Sequence, residues 1–371
     1  MSSKPLFDPA AFRIPPGVAH VCAGGETAFL RSHDGVLQQY GIDKSNGMPG
    51  RTAQEAQVER ARVHMARLWQ VDAGDIGFVS SVAEGVSIIA ESIDWQAGDN
   101  VCIDAIEYPS VVAPFAMQRH PKVDMRIAQG SEPGRLADYV DARTRLIGVS
   151  CVSYLTGERF DLAAIRKLAD SVGAMLVVDF TQATGYLPID ASLADFAFSA
   201  CYKWLLGMTG VGVAYWNRAR QPNFLPSTAG WHSVAPGTHG WDQPVEVRAD
   251  ALRFTRGNPA HGPVYVLASA LDYLAQFDMR DVQRHVQGLT CDLLVRLRAL
   301  QIPSTTPDDP ARHGASVCVA SSRAQQIVDA LYERGVYAWN GHGRVRFSFH
   351  GYNSTQDVDR IVDALQSVWR P

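Results

Sequence analysis

No stretch of this chain approaches the ~18 consecutive apolar residues of a membrane-spanning helix, and the opening Met1-Ser-Ser-Lys-Pro-Leu6 lacks the apolar core of a secretion signal. A cytoplasmic location is expected. Excess charge is missing too: 34 Lys and Arg stand against 38 Asp and Glu, a net charge of −4, with no long run of either sign. Such a surface lacks the footprint that a phosphate backbone needs, so nucleic acid is not an expected partner. The six cysteines, Cys22, Cys102, Cys151, Cys201, Cys291 and Cys318, include no C-x-x-C pair, and the eleven histidines include no H-E-x-x-H. Neither a zinc site nor a disulfide framework is indicated. No metal is expected, and the cysteines read as small buried apolar residues.

Apolar material is plentiful. Hydrophobic residues make up 46% of the 371 positions and charged ones 19%, enough to offset chain entropy along the whole length. Since domains usually run ~100–200 residues, the length predicts two unequal domains. Between Gln54 and Trp69 the apolar Val58, Ala61, Met65 and Leu68 recur at helical spacing among Glu55, Glu59, Arg60 and Arg67, which predicts an amphipathic helix. Short β-rich runs follow at 76–79, 101–103, 146–149, 174–178, 196–198 and 211–215, separated by helix-length segments. Strands alternating with helices give a mainly parallel sheet, and strands apolar at consecutive positions are those covered on both faces. The expectation is a three-layer α/β/α sandwich.

One crossover helix should begin after Asp161, whose side chain offers an N-cap oxygen, and run through Leu162, Ile165, Leu168 and Ala169. Past Gly257 the order changes to two helices, near 263–277 and 282–300, then strand (315–319), helix (323–334), strand (344–349) and helix (355–369). We therefore expect an N-terminal segment of residues 1–50, a large domain of residues 51–257, and linking helices with a small C-terminal α+β domain over residues 258–371.

Several residues carry chemistry. Ala174-Met-Leu-Val-Val-Asp179 is an apolar strand that ends in a carboxylate, with Gln182 three residues on. Ligands of open α/β sheets bind outside the carboxyl ends of strands, so Asp179 can face that crevice; capping the next helix is the structural alternative. Twenty-four residues after Asp179, Lys203 sits between Tyr202 and Trp204 and before Leu205 and Leu206. Desolvation there would lower the amine's pKa toward nucleophilic use, whereas a snorkelling side chain would return the charge to water. Gly207, Gly210 and Gly212 do not follow the G-x-G-x-x-G order of a dinucleotide site and read as a tight loop. Ile76-Gly-Phe-Val-Ser80-Ser81-Val82-Ala83-Glu84 is a strand, a small-residue turn and a helix start, where free N–H groups and the helix dipole attract phosphate. Tyr108 lies after a strand and before a helix opened by Pro109, either as an aromatic plate for a ligand or as a core residue.

In this order and spacing, the phosphate turn, the aromatic plate, the strand-end aspartate and the lysine resemble the fold-type I pyridoxal phosphate enzymes. The resemblance is specifically to the class V aminotransferase family, which includes cysteine desulfurases, kynureninases and isopenicillin N epimerase, and it runs from about Gly50 to the C-terminus. It implies pyridoxal 5′-phosphate as the cofactor, held covalently by Lys203, which then shuttles a proton at the substrate α-carbon. It implies that Asp179 pairs with the ring nitrogen, Gln182 hydrogen-bonds the phenolic oxygen and Tyr108 stacks on the ring. The backbone of Val82 and Ala83, together with the Tyr202 phenol, would bind the phosphate. Trp231, in Gly230-Trp-His-Ser233, is similar to a tryptophan that packs near the cofactor in those relatives. Asn258, in Arg253-Phe-Thr-Arg-Gly-Asn258-Pro259, stands where the family has a threonine that reaches the phosphate of the neighbouring subunit. The resemblance thus implies an obligate homodimer with shared sites. Arg346, in Arg344-Val-Arg-Phe-Ser348-Phe-His350, stands where the family binds the substrate α-carboxylate. A surface strand with alternating charge is the alternative for both arginines, and for Arg344 in particular.

The resemblance implies an enzyme acting on an amino acid, read as an aminotransferase; a β-lyase of the C–S lyase type or an epimerase of the same family is the alternative. A persulfide-forming desulfurase is not expected. Its thiolate sits on a loop shortly before the carboxylate-binding arginine, and the corresponding stretch, 333–346, contains no cysteine. A silent binding relative would not need Lys203, Asp179, Gln182 and Arg346 together, and a dehydrogenase would carry a glycine-rich first turn. The substrate side chain stays open, as does which of His232, His239, His261 and His342 enters the pocket.

Overall fold

The computed structural model describes residues 4–119, 122–237, 242 and 244–369. The chain opens with a two-residue strand, β1 (Ala19–His20), and two helices, α1 (His33–Lys44) and α2 (Gly47–Trp69). Helix α2 starts before the apolar pattern does. Pro49 lies in its first turn, where no N–H partner is needed, and a Cβ on Gly50 would stand 1.7 Å from the Asp43 carbonyl oxygen. Only glycine lets α1 and α2 approach so closely.

The next elements are β2 (Ile76–Val79), α3 (Val82–Ser92), β3 (Asn100–Asp104), α4 (Pro109–Ala116), β4 (Asp124–Ala128) and α5 (Pro133–Ala137). They continue with β5 (Thr144–Ser150), α6 (Leu162–Val172), β6 (Met175–Asp179), β7 (Phe196–Ala200) and β8 (Gly212–Trp216). Strands β2 to β8 form one sheet in the order β2-β8-β7-β6-β5-β3-β4, parallel except for β8, which runs antiparallel to both neighbours. Strand β6 shows what holds the layers. Leu176 and Val178 enter one apolar cluster with Trp69 and Phe180, while Val177 enters another with Ile89, Phe196 and Phe198. Each such side chain contributes roughly 1.5–3 kcal/mol on full burial. Asp161 caps α6 by accepting from Ala164 N at 3.0 Å, and Gly173 ends the helix in a left-handed conformation, φ +71°.

The C-terminal part comprises α7 (His261–Leu274), α8 (Met279–Ala299), β9 (Ser316–Ala320), α9 (Ala324–Tyr332), β10 (Val336–Tyr337), β11 (Trp339–Gly341), β12 (Arg344–Ser348) and α10 (Thr355–Val368). Strand β12 is the centre of an antiparallel sheet ordered β11-β12-β9. Strand β1 pairs in parallel with β10, Ala19 opposite Val336, which ties the N-terminal segment to this layer. The fold is a three-layer α/β/α sandwich with a mainly parallel sheet and a small C-terminal α+β domain.

Candidate active site

The carboxyl ends of the central strands converge. Beyond β3 the chain reaches Glu107 and Tyr108, β5 ends on Ser150, β6 ends on Asp179, and β7 leads to Tyr202 and Lys203. The order of strands reverses between β3 and β5, the kind of switch point where open α/β sheets bind ligands. A cavity of about 220 Å³ opens there. Of the residues singled out in the sequence, Val82, Tyr108, Asp179, Gln182, Tyr202 and Lys203 line it, together with Ser80, Ser150, Tyr154 and Thr181.

Lys203 is 7% exposed. It starts a tight turn in which Leu206 N donates to its carbonyl at 3.0 Å and Leu206 adopts φ +58°. A leucine holds that left-handed conformation only because its full burial over-determines it. Trp204 anchors the turn: its Nε1 donates to Gln182 Oε1 at 3.1 Å, its carbonyl lies 2.9 Å from His350 Nε2, and its ring packs on Tyr186. The Lys203 amine lies 5.6 Å from the Tyr108 ring centroid and 5.4 Å from that of Tyr202. Burial, and then the Arg346 charge, push its pKa down to about 8.

Asp179 is buried, and one carboxylate oxygen accepts from Thr181 N at 2.7 Å. Among the described residues it forms no ion pair. Burial raises its pKa, opposed by the Thr181 hydrogen bonds and by Lys203. Gln182 donates from Nε2 to the Gly24 carbonyl at 2.9 Å, drawing the N-terminal segment against the site. A Cβ on Gly24 would stand 2.7 Å from Ser348 Oγ and 3.3 Å from Arg346 Cζ. Glycine is what allows that approach.

At the opposite wall Ser81 caps α3, its Oγ accepting from Glu84 N at 3.2 Å. Glu84 folds back to accept from Ser80 N at 2.6 Å and from Ser80 Oγ at 2.7 Å. The first-turn N–H groups of Val82 and Ala83 are ones a helix cannot satisfy internally, and they sit at the positive end of its dipole. Val82 lines the cavity, and Ala83 follows it in the same turn.

Arg346 is 3% exposed and donates from Nη1 to the Tyr154 carbonyl at 2.9 Å. Burial lowers its pKa to about 10. Arg344 is 4% exposed and donates to the same carbonyl at 2.6 Å. The surface-strand alternative therefore fails for both, because β12 is the covered central strand of its sheet.

Two residues of the site carry no sequence signal. Glu107 accepts from Ser150 N and Ser150 Oγ, both at 2.6 Å, and from Tyr108 N at 2.6 Å. It ties the end of β3 to the end of β5 and so fixes where Tyr108 points. Burial raises its carboxyl pKa to about 7 against the Ser150 and Tyr108 hydrogen bonds. Tyr154 meets Tyr108 edge-on at 4.9 Å between centroids, and His342 at 5.6 Å. Both contacts join residues distant in sequence, which local pattern cannot reveal.

Trp231 and Asn258 are not brought into the cavity. Trp231 is 61% exposed, with the Arg51 guanidinium over its ring. Asn258 accepts a hydrogen bond from Arg51 and lines a separate cavity of about 140 Å³ that shares Ser80, Gly210 and Val211 with the first. His232 and His261 are buried 3.9 Å from Glu55, outside the lining of the first cavity, and His239 lies outside the described residues. Among the described residues no cluster of His, Cys, Asp and Glu could hold a metal ion, and no helix is long and apolar enough to cross a membrane.

A family model described as Aminotransferase class-V matches residues 37–361. A protein of Methanothermobacter thermautotrophicus named "Probable cysteine desulfurase" is 26% identical over 347 residues, covering 84% of this chain and 83% of its own length. A cysteine desulfurase of Klebsiella pneumoniae subsp. pneumoniae is 28% identical over 331 residues, covering 80% and 78%. Among solved structures, a C-DES mutant with glycine covalently linked to its PLP cofactor gives a TM-score of 0.89 at 21% identity, covering 98% of this chain and 100% of that one. The cystine C–S lyase C-DES in complex with its reaction product cysteine persulfide gives 0.86 at 21% identity, covering 95% and 98%.

Proposed function

The chain belongs to the aminotransferase class-V family of pyridoxal 5′-phosphate enzymes, and from that premise we propose that it cleaves the carbon–sulfur bond of a sulfur-bearing amino acid by β-elimination. The names of its relatives favour this lyase alternative over the aminotransferase that the motifs first suggest. The observation that carries the reading is one cavity lined by a buried lysine and by a buried carboxylate that forms no ion pair among the described residues, with a buried arginine hydrogen-bonded to the carbonyl of Tyr154 in its wall.

The residues present fit the cofactor. Asp179 is a buried carboxylate that forms no ion pair among the described residues, and a protonated ring nitrogen would supply one. Tyr108 would cover a ring face, Gln182 keeps a second amide hydrogen for the phenolic oxygen, and the N–H groups of Val82 and Ala83 with the Tyr202 phenol would take the phosphate. When bound, the cofactor supplies an electron sink for the pair left at the substrate α-carbon. Lys203 holds the cofactor and then accepts the α-proton, a task suited to an amine whose pKa is lowered to about 8. Arg346 orients the substrate through its α-carboxylate, for which its planar fork and buried position are suited.

The sulfur departs without help from a protein thiol. Cys22 lies near Arg346, but its thiol donates to the Tyr337 carbonyl and burial pushes its pKa up to about 12. Cys318 is buried in β9 opposite Arg346, with its pKa likewise raised by burial. Only a thiolate attacks sulfur, and burial disfavours that form at both residues. Trp231 and Asn258 would complete the site of a second subunit, so the same reading makes the enzyme a homodimer.

Product analysis over a panel of amino acids tests the function. Elimination predicts pyruvate, ammonia and a sulfur product in equal amounts. An oxo acid formed without ammonia would instead indicate transamination, and a racemised substrate would indicate epimerisation.

A further inference from the structure

Arg344 and Arg346 are separated by one residue on β12 and so share a face of the sheet. Both are buried, neither forms an ion pair among the described residues, and the Nε of each has no hydrogen-bond partner. A guanidinium taken out of water without an acid is costly unless a ligand pairs it. On the reading above, the substrate α-carboxylate would be that ligand for Arg346; Arg344 would need another. Two of its five N–H groups reach the carbonyls of Gly341 and Tyr154 and the guanidinium also contacts the Cys318 side chain, while Nε is left without a partner. Its guanidinium carbon lies 5.3 Å from the centroid of the Tyr154 ring, and Tyr154 lines the cavity and meets both Tyr108 and His342 edge-on. Arg344 therefore packs directly behind a residue of the cavity wall. It is also near enough to Lys203 for its charge to help lower the amine's pKa.

We infer that Arg344 determines specificity by receiving a second carboxylate, at the far end of the substrate side chain, so that the preferred substrates are sulfur-substituted amino acids with two carboxylates. This rests on the lyase reading given above. In the reaction the Cα proton passes to Lys203, and the Cβ–S bond breaks with its electron pair on sulfur. The sulfur then takes a proton and leaves as a carboxylate-bearing thiol. The three-carbon remainder is hydrolysed by water to pyruvate and ammonia, so no oxidant or reductant is needed.

The test compares S-carboxymethyl-L-cysteine with its neutral isostere S-carbamoylmethyl-L-cysteine, using the holoenzyme. Calorimetric Kd and the kcat/KM for pyruvate release are measured for both compounds. Wild type should prefer the carboxylate roughly 10- to 100-fold, the span of a charge-assisted hydrogen bond. In Arg344→Gln that ratio should collapse toward one, and Arg344→Lys, which keeps the charge without the fork, should fall between. Equal Kd values for the two compounds in wild type overturn the proposal, and this comparison needs no variant to fold. A ratio that survives Arg344→Gln also overturns it. Preferential binding of the carboxylate that disappears in Arg344→Gln, with no pyruvate from any sulfur compound, would support Arg344 while defeating the lyase reading.

Discussion

Lys203 combines burial, an adjacent strand end and two aromatic neighbours, and each has a measurable consequence. The chain has five lysines, Lys4, Lys44, Lys122, Lys167 and Lys203, so borohydride reduction and peptide mapping should place the pyridoxyl group on Lys203 without ambiguity. Because burial lowers its pKa to about 8, the neutral amine already dominates above that pH. Capture of pyridoxal phosphate by the apoprotein should accelerate as pH rises from 6 and level off above about 8. A rate that still climbs between pH 9 and 11 would show an ordinary solvated lysine. Asp179 predicts a different signature. Asp179→Asn keeps the shape but removes the charge, so the cofactor should stay bound while turnover drops by roughly 10²–10³; a variant with near-normal turnover contradicts the ring-nitrogen role. Lys203 and Asp179 were legible because each follows a run of apolar strand residues. Arg344 was misleading, since alternation on a strand looks the same at a surface as it does under a covering layer.

The elements differ in how visibly they are written. The parallel strands were legible as apolar runs because helices cover both faces. Strand β4, Asp124-Met-Arg-Ile-Ala128, pairs only with β3 at the sheet edge, and its polar residues hid it. Helix α1 buries only His33, so it lacks the apolar stripe that periodicity detects. Strands β1 and β10 are two residues long and exist through their mutual pairing, which joins the two ends of the sequence. The start of α3 carries a testable consequence at this scale. Ser81→Ala removes the cap on Glu84 N and should cost about 0.5–2 kcal/mol in denaturant unfolding. The same change should loosen the phosphate turn and weaken cofactor retention. Unchanged stability together with unchanged retention would show that Ser81 neither caps the helix nor shapes the site.

At the scale of the molecule, one cavity gathers residues from four strand ends, and hydrogen bonds from its wall tie in the N-terminal segment at Gly24 and a buried arginine of the C-terminal sheet at Tyr154. Closing the site thus depends on how the parts pack, which explains why Glu107 and Tyr154 escaped sequence reading. Trp231 and Asn258 were legible as motif positions but lie outside the cavity of a single chain. If a second copy completes the site, sedimentation should find a dimer and Asn258→Ala should weaken cofactor retention; a monomer with full activity would refute that arrangement. The central claim is elimination of sulfur with no protein thiol taking part. It is tested most directly by stopping the holoenzyme during turnover of L-cysteine with an alkylating probe and reading all six cysteines by mass spectrometry alongside the released products. The account predicts unmodified thiols at every position, with sulfide and pyruvate released in equal amounts. A persulfide that accumulates on one cysteine at a rate matching alanine release would contradict it.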